Sequence, residues 1–579
     1  MDYTQQYKIW TKKADKAYAQ ELKSLAKDDK ELKERFSMPL AFGTAGMRGV
    51  LGMGIGNMNV YTVARASLGL ATYIKAEGAQ ARGVVISYDT RRMSFEFALV
   101  TARVLAAQGV AAYLFEDVRP VPMCSFAVRH LGCKAGVMIT ASHNPKEYNG
   151  YKVYGEDGAQ MSPEATAQVV KYIDNSDYFD IPMADIVTQE RDIIKGKDNY
   201  SLSDNITVIG SSIDNRYFDE VAKLSLSEEE VAEVGKKIKI VYSPLHGSGY
   251  MPVTAMLERM GICVDVVEQQ RLPDPDFPTV TVPNPEQPEA LALGIALADK
   301  TGSDLVIGTD PDCDRMGIAV RDKNGKFVTL TGNQIGCLLM DYVLSRNAER
   351  EIMPDNAAVV KTIVTTRLAN RIADAYGAKV YDVLTGFKFI GEKIKQWEEN
   401  RHRTFMFGFE ESYGYLCGTH ARDKDAVVAS MLTAELACYC LAHGLTVYDR
   451  LQGIWDKYGY FYETSKSLVF KGLDGMERMA GIMEKLRANP PASLVDREII
   501  AVSDYTTSVT KYSDGKQQLI NLPKANVLKY DLGDDMWACV RPSGTEPKLK
   551  IYVSTVGEDR AQTEELNKRI QQELSAYAD

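Results

Sequence analysis

The sequence is poor in the residues that zinc and disulfide chemistry require. Its 579 residues include six histidines and nine cysteines, and no two cysteines form a CxxC pair. Cys438 and Cys440 are separated by a single residue, which fits no common zinc spacing. An odd, unpatterned set of cysteines in so large a chain reads as reduced thiols and points to the cytoplasm. Excess positive charge is also missing. With 78 acidic against 68 basic side chains, the net charge is −10. That balance argues against a general nucleic-acid surface, although a small anion needs only local positive charge. The opening stretch "MDYTQQYKIWTKKADKAY" is polar and charged, unlike a signal peptide. No long apolar run is uninterrupted. The most apolar long segment, "AVVASMLTAELACYCLAHGL" from Ala426, contains Glu435 and His443. It is expected to be a buried core helix rather than a membrane span.

What is present is a recurring unit. At roughly 150 residues per domain the length allows about four domains. The first ~35 residues lack Gly and Pro and predict helix. Beyond them, short β-rich apolar runs end in polar loops, with amphipathic helices nearby. The instances are "GVVISYDTRR", "AGVMITASHN", "KIVYSPLHGSG", "SDLVIGTDPDCDR" and "FMFGFEES". Strands alternating with helices predict α/β layers, and open α/β sheets bind ligands at the loops beyond their strand ends. Polar stretches and strand ends place the expected domains at 1–205, 206–325, 326–455 and 456–579. The last carries a helix around "DGMERMAGIMEKL" and strands around "MWACVRPSGTEPKLKIYVST", which predicts a smaller α+β unit.

Four of the loops carry chemistry. In "GTDPDCDR" a strand runs into Asp310, Asp312 and Asp314. Alternate side chains of an extended backbone point the same way, so three carboxylates can converge. Such a cluster is costly unless a cation sits in it, and an all-oxygen set suits a hard ion such as Mg²⁺. An EF-hand is excluded, because Arg315 and Arg321 stand where that loop needs Gly and Glu. An aspartyl-phosphate enzyme with Asp310 as nucleophile is a rival, though its usual motif wants Thr or Val at Asp314. "RPSGTEPKLK" offers Arg541 for bidentate anion binding, hydroxyls on Ser543 and Thr545, and a backbone free to turn at Gly544, the makings of a phosphate cradle. "FGFEESYGY" places Glu410 and Ser412 on one face of an extended segment, with Glu411 opposite, as a reader of sugar hydroxyls. Nearby "THARDKDAV" supplies Arg422 and Lys424, and "LTGFKFI" supplies Thr385 and Lys388. In "TASHNPKEYNGYK", Ser142 is either a turn residue or a nucleophile. Neighbouring side chains diverge in an extended chain, so a Ser-His-Asp triad with His143 is not implied, and no GxSxG elbow is present. Read alone, each loop is also consistent with a plain turn. Together they describe phosphoryl transfer on a phosphosugar.

These four loops, in this order, resemble the α-D-phosphohexomutase superfamily in its phosphoglucomutase branch, over nearly the whole chain. The serine loop "TASHNP", metal loop "DPDCDR", sugar loop "GFEES" and phosphate loop "RPSGTEPK" carry the likeness. It is strongest to the long bacterial enzymes and their relatives that also act on phosphopentoses. The resemblance implies an α/β fold of four domains around a central cleft. The first three are related α/β units with mixed sheets, and the fourth is a smaller α+β domain. It implies a phosphoryl group on Ser142, Mg²⁺ held by Ser142, Asp310, Asp312 and Asp314, and Arg315 beside them. "FGTAGMRG" matches the family's N-terminal loop and puts Arg48 in the cleft. Lys152 and His143 match the family's residues around the serine and are the candidate general bases, with Lys388 a weaker one. Thr385, Lys388, Glu410, Ser412, Lys424, Arg541, Ser543, Gly544 and Thr545 would bind substrate. The implied reaction interconverts glucose 1-phosphate and glucose 6-phosphate through glucose 1,6-bisphosphate. Phosphopentomutase or phosphomannomutase activity, or glucose 1,6-bisphosphate synthesis, are the alternatives. The expected partner is a small phosphosugar, with no nucleic acid and no membrane, and the expected assembly a monomer or homodimer.

Overall fold

The computed structural model describes residues 2–43, 46–470, 475–543 and 548–577. The helical start is three helices, Tyr3–Lys13, Ala19–Leu25 and Asp29–Phe36. They wrap Trp10, which is fully buried among Phe36, Tyr61, Tyr178 and Phe179 at ring-centroid distances of 5.2–5.8 Å. Three mixed sheets follow, of seven, five and four strands, and then a seven-stranded antiparallel sheet.

The three mixed sheets share one local plan. In each, a fully or largely buried strand lies between a parallel neighbour and the antiparallel strand that returns from it. In the first, Ala135–Ile139 lies between Val84–Tyr88 and Tyr148–Gly155. In the second, Leu305–Thr309 lies between Ile240–Ser243 and Met316–Arg321. In the third, Thr404–Glu410 lies between Ala357–Thr362 and Gly414–Cys417. The β-branched, apolar composition of these strands suits burial on both faces under flanking helices. The hairpin loops between the central and returning strands are 140–147, 310–315 and 411–413. These are the serine, metal and sugar loops, so the chemistry sits at the same place in each repeat. An antiparallel bridge between Arg315 and Gly414 ties the second to the third.

The sheets shift the expected joints. Ile206–Ile209 pairs in parallel with Ala112–Phe115, so the first sheet runs past residue 205. Phe327–Thr329 pairs with Met316–Arg321, past residue 325. The third joint falls inside the helix Val447–Tyr458. Polar, turn-rich sequence marks linkers, but the edge hairpins of a sheet have the same composition because one side faces water. The apolar segment from Ala426 is a buried helix, Ala426–Ala442, started by Asp425, whose carboxylate accepts the N–H groups of Val427 and Val428 at 2.9 Å. Among the described residues no single helix is long and apolar enough to cross a membrane.

The fourth domain docks on the third through an apolar cluster that includes Ile363, Val364, Leu384, Trp537 and Tyr552. At its rim Arg367 pairs with Asp531 at 2.6 Å and Arg371 with Asp535 at 2.8 Å. Inside it, the Lys529 ammonium donates to the Ile363 carbonyl at 2.6 Å and lies 4.5 Å from the Trp537 ring centre. Burial pushes Lys529 down from 10.5 to about 7, against the pull of Asp382 and helped by Arg367 and Lys361. Between those values the unfolded chain holds the proton and the folded chain does not, so stability rises with pH, by up to about 1.4 kcal/mol per unit. The wild type is therefore expected to gain thermal stability relative to Lys529→Met as pH is raised from neutrality toward 10. Parallel scanning calorimetry of both proteins checks this; a constant difference in Tm contradicts it.

Candidate active site

Ser142 stands three residues past the strand Ala135–Ile139, with its N–H held by the Thr140 hydroxyl at 2.8 Å. Its backbone is left-handed, at φ 52°. That conformation costs a non-glycine residue about 1–2 kcal/mol, and it overturns the expectation of diverging neighbours. Because the chain turns here, Ser142 Oγ and His143 Nδ1 lie 3.2 Å apart. Ser142 Oγ also donates to Asp310 Oδ2 at 2.9 Å, across a sequence separation of 168.

The strain is held by Arg91, which the sequence offered only as the end of a strand motif. Its buried guanidinium donates to the carbonyls of Ser142 (2.6 Å), Asn144, Pro145 (2.8 Å) and Tyr148 (3.0 Å). Asp89 backs it at 3.4 Å, and the Phe277 ring lies 5.2 Å away. The Asp-Thr-Arg sequence after a strand signals a turn; nothing in its spacing says that the arginine grips the carbonyls of a loop some 50 residues on. A planar five-donor fork can satisfy such a set, and an ammonium cannot.

Asp310, Asp312 and Asp314 are buried, and one carboxylate oxygen from each lies within 4.8 Å of the others. Asp310 Oδ1 accepts the N–H groups of Asp314 at 3.1 Å and Arg315 at 3.0 Å. Lys152 reaches Asp312 at 2.8 Å and Asp314 at 3.5 Å, and Lys424 reaches Asp314 at 3.1 Å. Burial, then the charges of Asp312 and Asp314, push Asp310 well above the usual carboxylate range. Burial also opposes ionisation of Asp312, but Lys152, a hydrogen bond with Asp310 and the Lys424 charge together hold this carboxyl low. Asp312 Oδ1 and Asp314 Oδ1 are buried with no hydrogen-bond partner. Two orphaned carboxylate oxygens in an all-oxygen set, facing a serine hydroxyl, fit a hard divalent cation.

A cavity of ≈ 530 Å³ opens beside these loops, between the third and fourth domains. His143, Arg315, Thr385, Glu410, Ser412 and Arg541 all line it. Glu410 accepts the Gly386 N–H at 2.9 Å, and Arg541 donates to the Thr385 hydroxyl. Glu411 was expected on the opposite face, but it lines the same cavity and accepts from Thr362 and Thr365 at 3.1 and 3.2 Å. The strand ends at Glu410, and the tight turn through Tyr413 at φ 66° breaks the alternation. Two other candidates make contacts that the sequence did not indicate. Lys424, expected among the substrate-binding residues, is buried against Asp314 and Asp423, held by that paired charge. Lys388 opens the helix Lys388–Asn400 and lies 5.0 Å from the Phe389 ring. It lines a separate hollow with Met161 and Lys524, whereas Thr385, in the bend before the helix, lines the cavity. Arg48 bonds Asn144 Oδ1 at 3.2 Å, beside the serine loop. Ser543 donates its N–H to Lys548 at 2.7 Å; Gly544 and Thr545, like Thr44 and Ala45 of the N-terminal loop, lie outside the described residues.

Among the wall residues that sequence reasoning did not single out are the titratable Glu463 and Lys550. Burial pushes Glu463 up to about 7, against hydrogen bonds from Thr366 and Ser554. Both lie on strands of the fourth domain, paired at register Ser467 to Lys550; Lys550 ends the stretch "RPSGTEPKLK" without having been singled out, and no local motif marks Glu463.

Two outcomes follow from this geometry. Arg91→Lys is expected to slow phosphoryl transfer about 100-fold, the usual cost of misplacing a reacting group by an ångström, while substrate affinity changes little; single-turnover kinetics separate the two. In metal-free protein Asp310→Asn replaces a buried carboxyl whose ionisation the cluster opposes with a neutral group of similar shape, and is expected to raise Tm. In millimolar Mg²⁺ it is expected to abolish the metal-dependent rise expected of the wild type.

Family models match along the chain: Phosphoglucomutase/phosphomannomutase alpha/beta/alpha domain I over residues 39–179, domain II over 215–325, domain III over 331–458, and the C-terminal domain over 493–573. A phosphoglucomutase of Staphylococcus haemolyticus strain JCSC1435 is 37% identical over 522 residues, covering 90% of this chain and 91% of the relative. A phosphoglucomutase of Staphylococcus aureus strain USA300 is 36% identical over 554 residues, covering 95% and 96%. In fold, the chain is similar to the pp63/parafusin phosphoglucomutase of Paramecium, with TM-score 0.67, 16% identity and coverage of 93% and 94%. It is similar to a phosphoglucomutase/phosphomannomutase family protein of Burkholderia thailandensis, with TM-score 0.64, 18% identity and coverage of 92% and 96%.

Proposed function

The chain belongs to the phosphoglucomutase/phosphomannomutase family, and from that premise we propose that it is a phosphoglucomutase, interconverting glucose 1-phosphate and glucose 6-phosphate through a phosphoserine at Ser142. One observation carries the assignment of residues: Ser142 Oγ meets Asp310 of the acidic cluster at 2.9 Å, joining loops of two separate sheets. A hydroxyl against three buried carboxylates is costly in isolation and purposeful around a phosphoryl group and its cation.

The reaction is a pair of displacements at phosphorus. The free hydroxyl of glucose 1-phosphate attacks phospho-Ser142, the serine P–O bond breaks, and glucose 1,6-bisphosphate forms. After the intermediate reverses in the cleft, Ser142 Oγ takes the other phosphoryl group, leaving glucose 6-phosphate. His143 is assigned the hydroxyl proton, because Nδ1 lies 3.2 Å from Ser142 Oγ and the ring lines the cavity. Burial, with Arg315 and Arg48, holds this imidazole neutral, the state that accepts a proton. Lys152, paired with Asp312, stays charged and contributes positive potential. Asp310, Asp312 and Asp314 would hold Mg²⁺, which would supply Lewis-acid stabilisation of charge on the phosphoryl group. Arg315 adds to it from the cavity wall. Glu410, Glu411 and Ser412 read the sugar hydroxyls, and Arg541 with Ser543 grips the remote phosphate.

The test is a coupled assay with glucose 1-phosphate, mannose 1-phosphate and ribose 1-phosphate, primed with glucose 1,6-bisphosphate. The fastest turnover is expected on glucose 1-phosphate. Ser142→Ala is expected to lose turnover by more than about 10⁴-fold while still binding substrate, and to show no phosphopeptide by mass spectrometry. Near-normal turnover of that variant would sink the phosphoserine assignment. A pentose or mannose preference would keep the mechanism and change the substrate.

A further inference from the structure

Three consecutive backbone carbonyls of the metal loop are held by three separate parts of the chain. Pro311 O accepts two bonds from Ser248, one from its N–H and one from its hydroxyl, both 2.8 Å. Asp312 O accepts from the N–H of Val121, which opens the helix Val121–His130 in the first domain, at 3.0 Å. Cys313 O accepts from the N–H of Ala426, which opens the helix Ala426–Ala442 in the third domain, at 3.3 Å. The loop's carboxylates are thus aimed by fixing the peptide units between them.

Ser248 belongs to the motif "SPLHGSG", which the proposed chemistry leaves without a role. The motif forms an elbow that is built for close approach. Leu245 and His246 are both left-handed, at φ 46° and 62°. Two such residues in a row persist only where surroundings over-determine them. Here the Gln270 carbonyl holds His246 N at 3.0 Å and the Thr279 hydroxyl meets its ring at 2.9 Å. The elbow delivers Gly247 against the metal loop so tightly that a Cβ there would lie 2.5 Å from Pro311 Cα. At Gly249 a Cβ would lie 2.7 Å from the Thr309 hydroxyl and 2.9 Å from the Cys313 sulfur. Ser248, between the two glycines, is 2% exposed, and its hydroxyl donates to Pro311 O.

We propose that Ser248 is a positioning residue for the cation: its double hydrogen bond to Pro311 O sets the peptide between Asp310 and Asp312, and so the spacing of the carboxylates on either side. The inference rests on the reading of the three aspartates as metal ligands. Partners one step behind the ligands of a metal commonly control affinity 10–100-fold.

Direct Mn²⁺ titration of the dephosphorylated full-length protein, by calorimetry and by the electron spin resonance of free Mn²⁺, tests it without reference to turnover. Ser248→Ala is expected to weaken Mn²⁺ binding about tenfold, with Ser248→Thr restoring it, and with the metal-free Tm of the two variants alike. Val121→Pro removes the Asp312 clamp at a first helical position, where proline is tolerated, and is expected to weaken binding in the same direction. Mn²⁺ affinity within twofold of wild type in Ser248→Ala, or in Ser248→Cys should the alanine variant not fold, overturns the proposal. Failure of the wild type itself to bind Mn²⁺ overturns the ligand reading instead, so the two failures are distinguishable.

Discussion

Three like charges buried at one point constrain everything around them. Asp310, Asp312 and Asp314 cannot all ionise in a dry interior without positive charge close by. The chain brings Lys152 from the first domain and Lys424 from the third to within 3.1 Å or less of the cluster. It also brings the N-termini of two helices, at Val121 and Ala426, onto the loop's carbonyls. Helix N-termini carry partial positive charge, so the backbone contributes as well as the side chains. The cluster is therefore a joint between three domains as much as a site, and its cost is one reason they meet where they do.

The serine loop solves a related problem by a different means. Ser142 must face the acidic cluster from a strand that would otherwise carry it past. A left-handed turn reorients it, at an energetic cost met by four carbonyl bonds from one buried arginine. Both loops are thus gripped by their carbonyls, leaving side chains free for chemistry. The sugar loop uses the same hairpin position in its own sheet, so one supersecondary plan serves three chemical tasks. Preorganisation of this kind places reacting groups before substrate arrives.

The fourth domain completes the cavity rather than the catalytic joint. It contributes Arg541, Lys550, Glu463 and the Trp537 and Tyr552 rings to the wall. Its contact with the third domain mixes an apolar patch with a buried lysine and two rim ion pairs. The rim pairs are worth little in water, so the apolar patch carries the docking.

Composition and local motif were sufficient for a good deal of this. Alternating strands and helices announced the α/β layers, and "GTDPDCDR" after a buried strand announced three converging carboxylates. "TASHNP", "GFEES" and "RPSGTEPK" marked the other candidate loops as short contiguous runs, each of which alone also reads as a plain turn. What the sequence could not contain is anything set by contact across long separations. Arg91 and Ser248 are ordinary strand-end residues until the fold lays other loops' carbonyls against them. Lys424 and Lys388 looked alike as nearby cations, and only packing sent one to Asp314 and the other to a separate hollow. Ser142 and His143 looked divergent because extended geometry is the default, and a strained turn held from outside made them neighbours. Local sequence determined which groups were available and on what kind of loop; tertiary structure decided their partners, because hydrogen bonds and charge pairs are fixed by distance in space and not by distance along the chain.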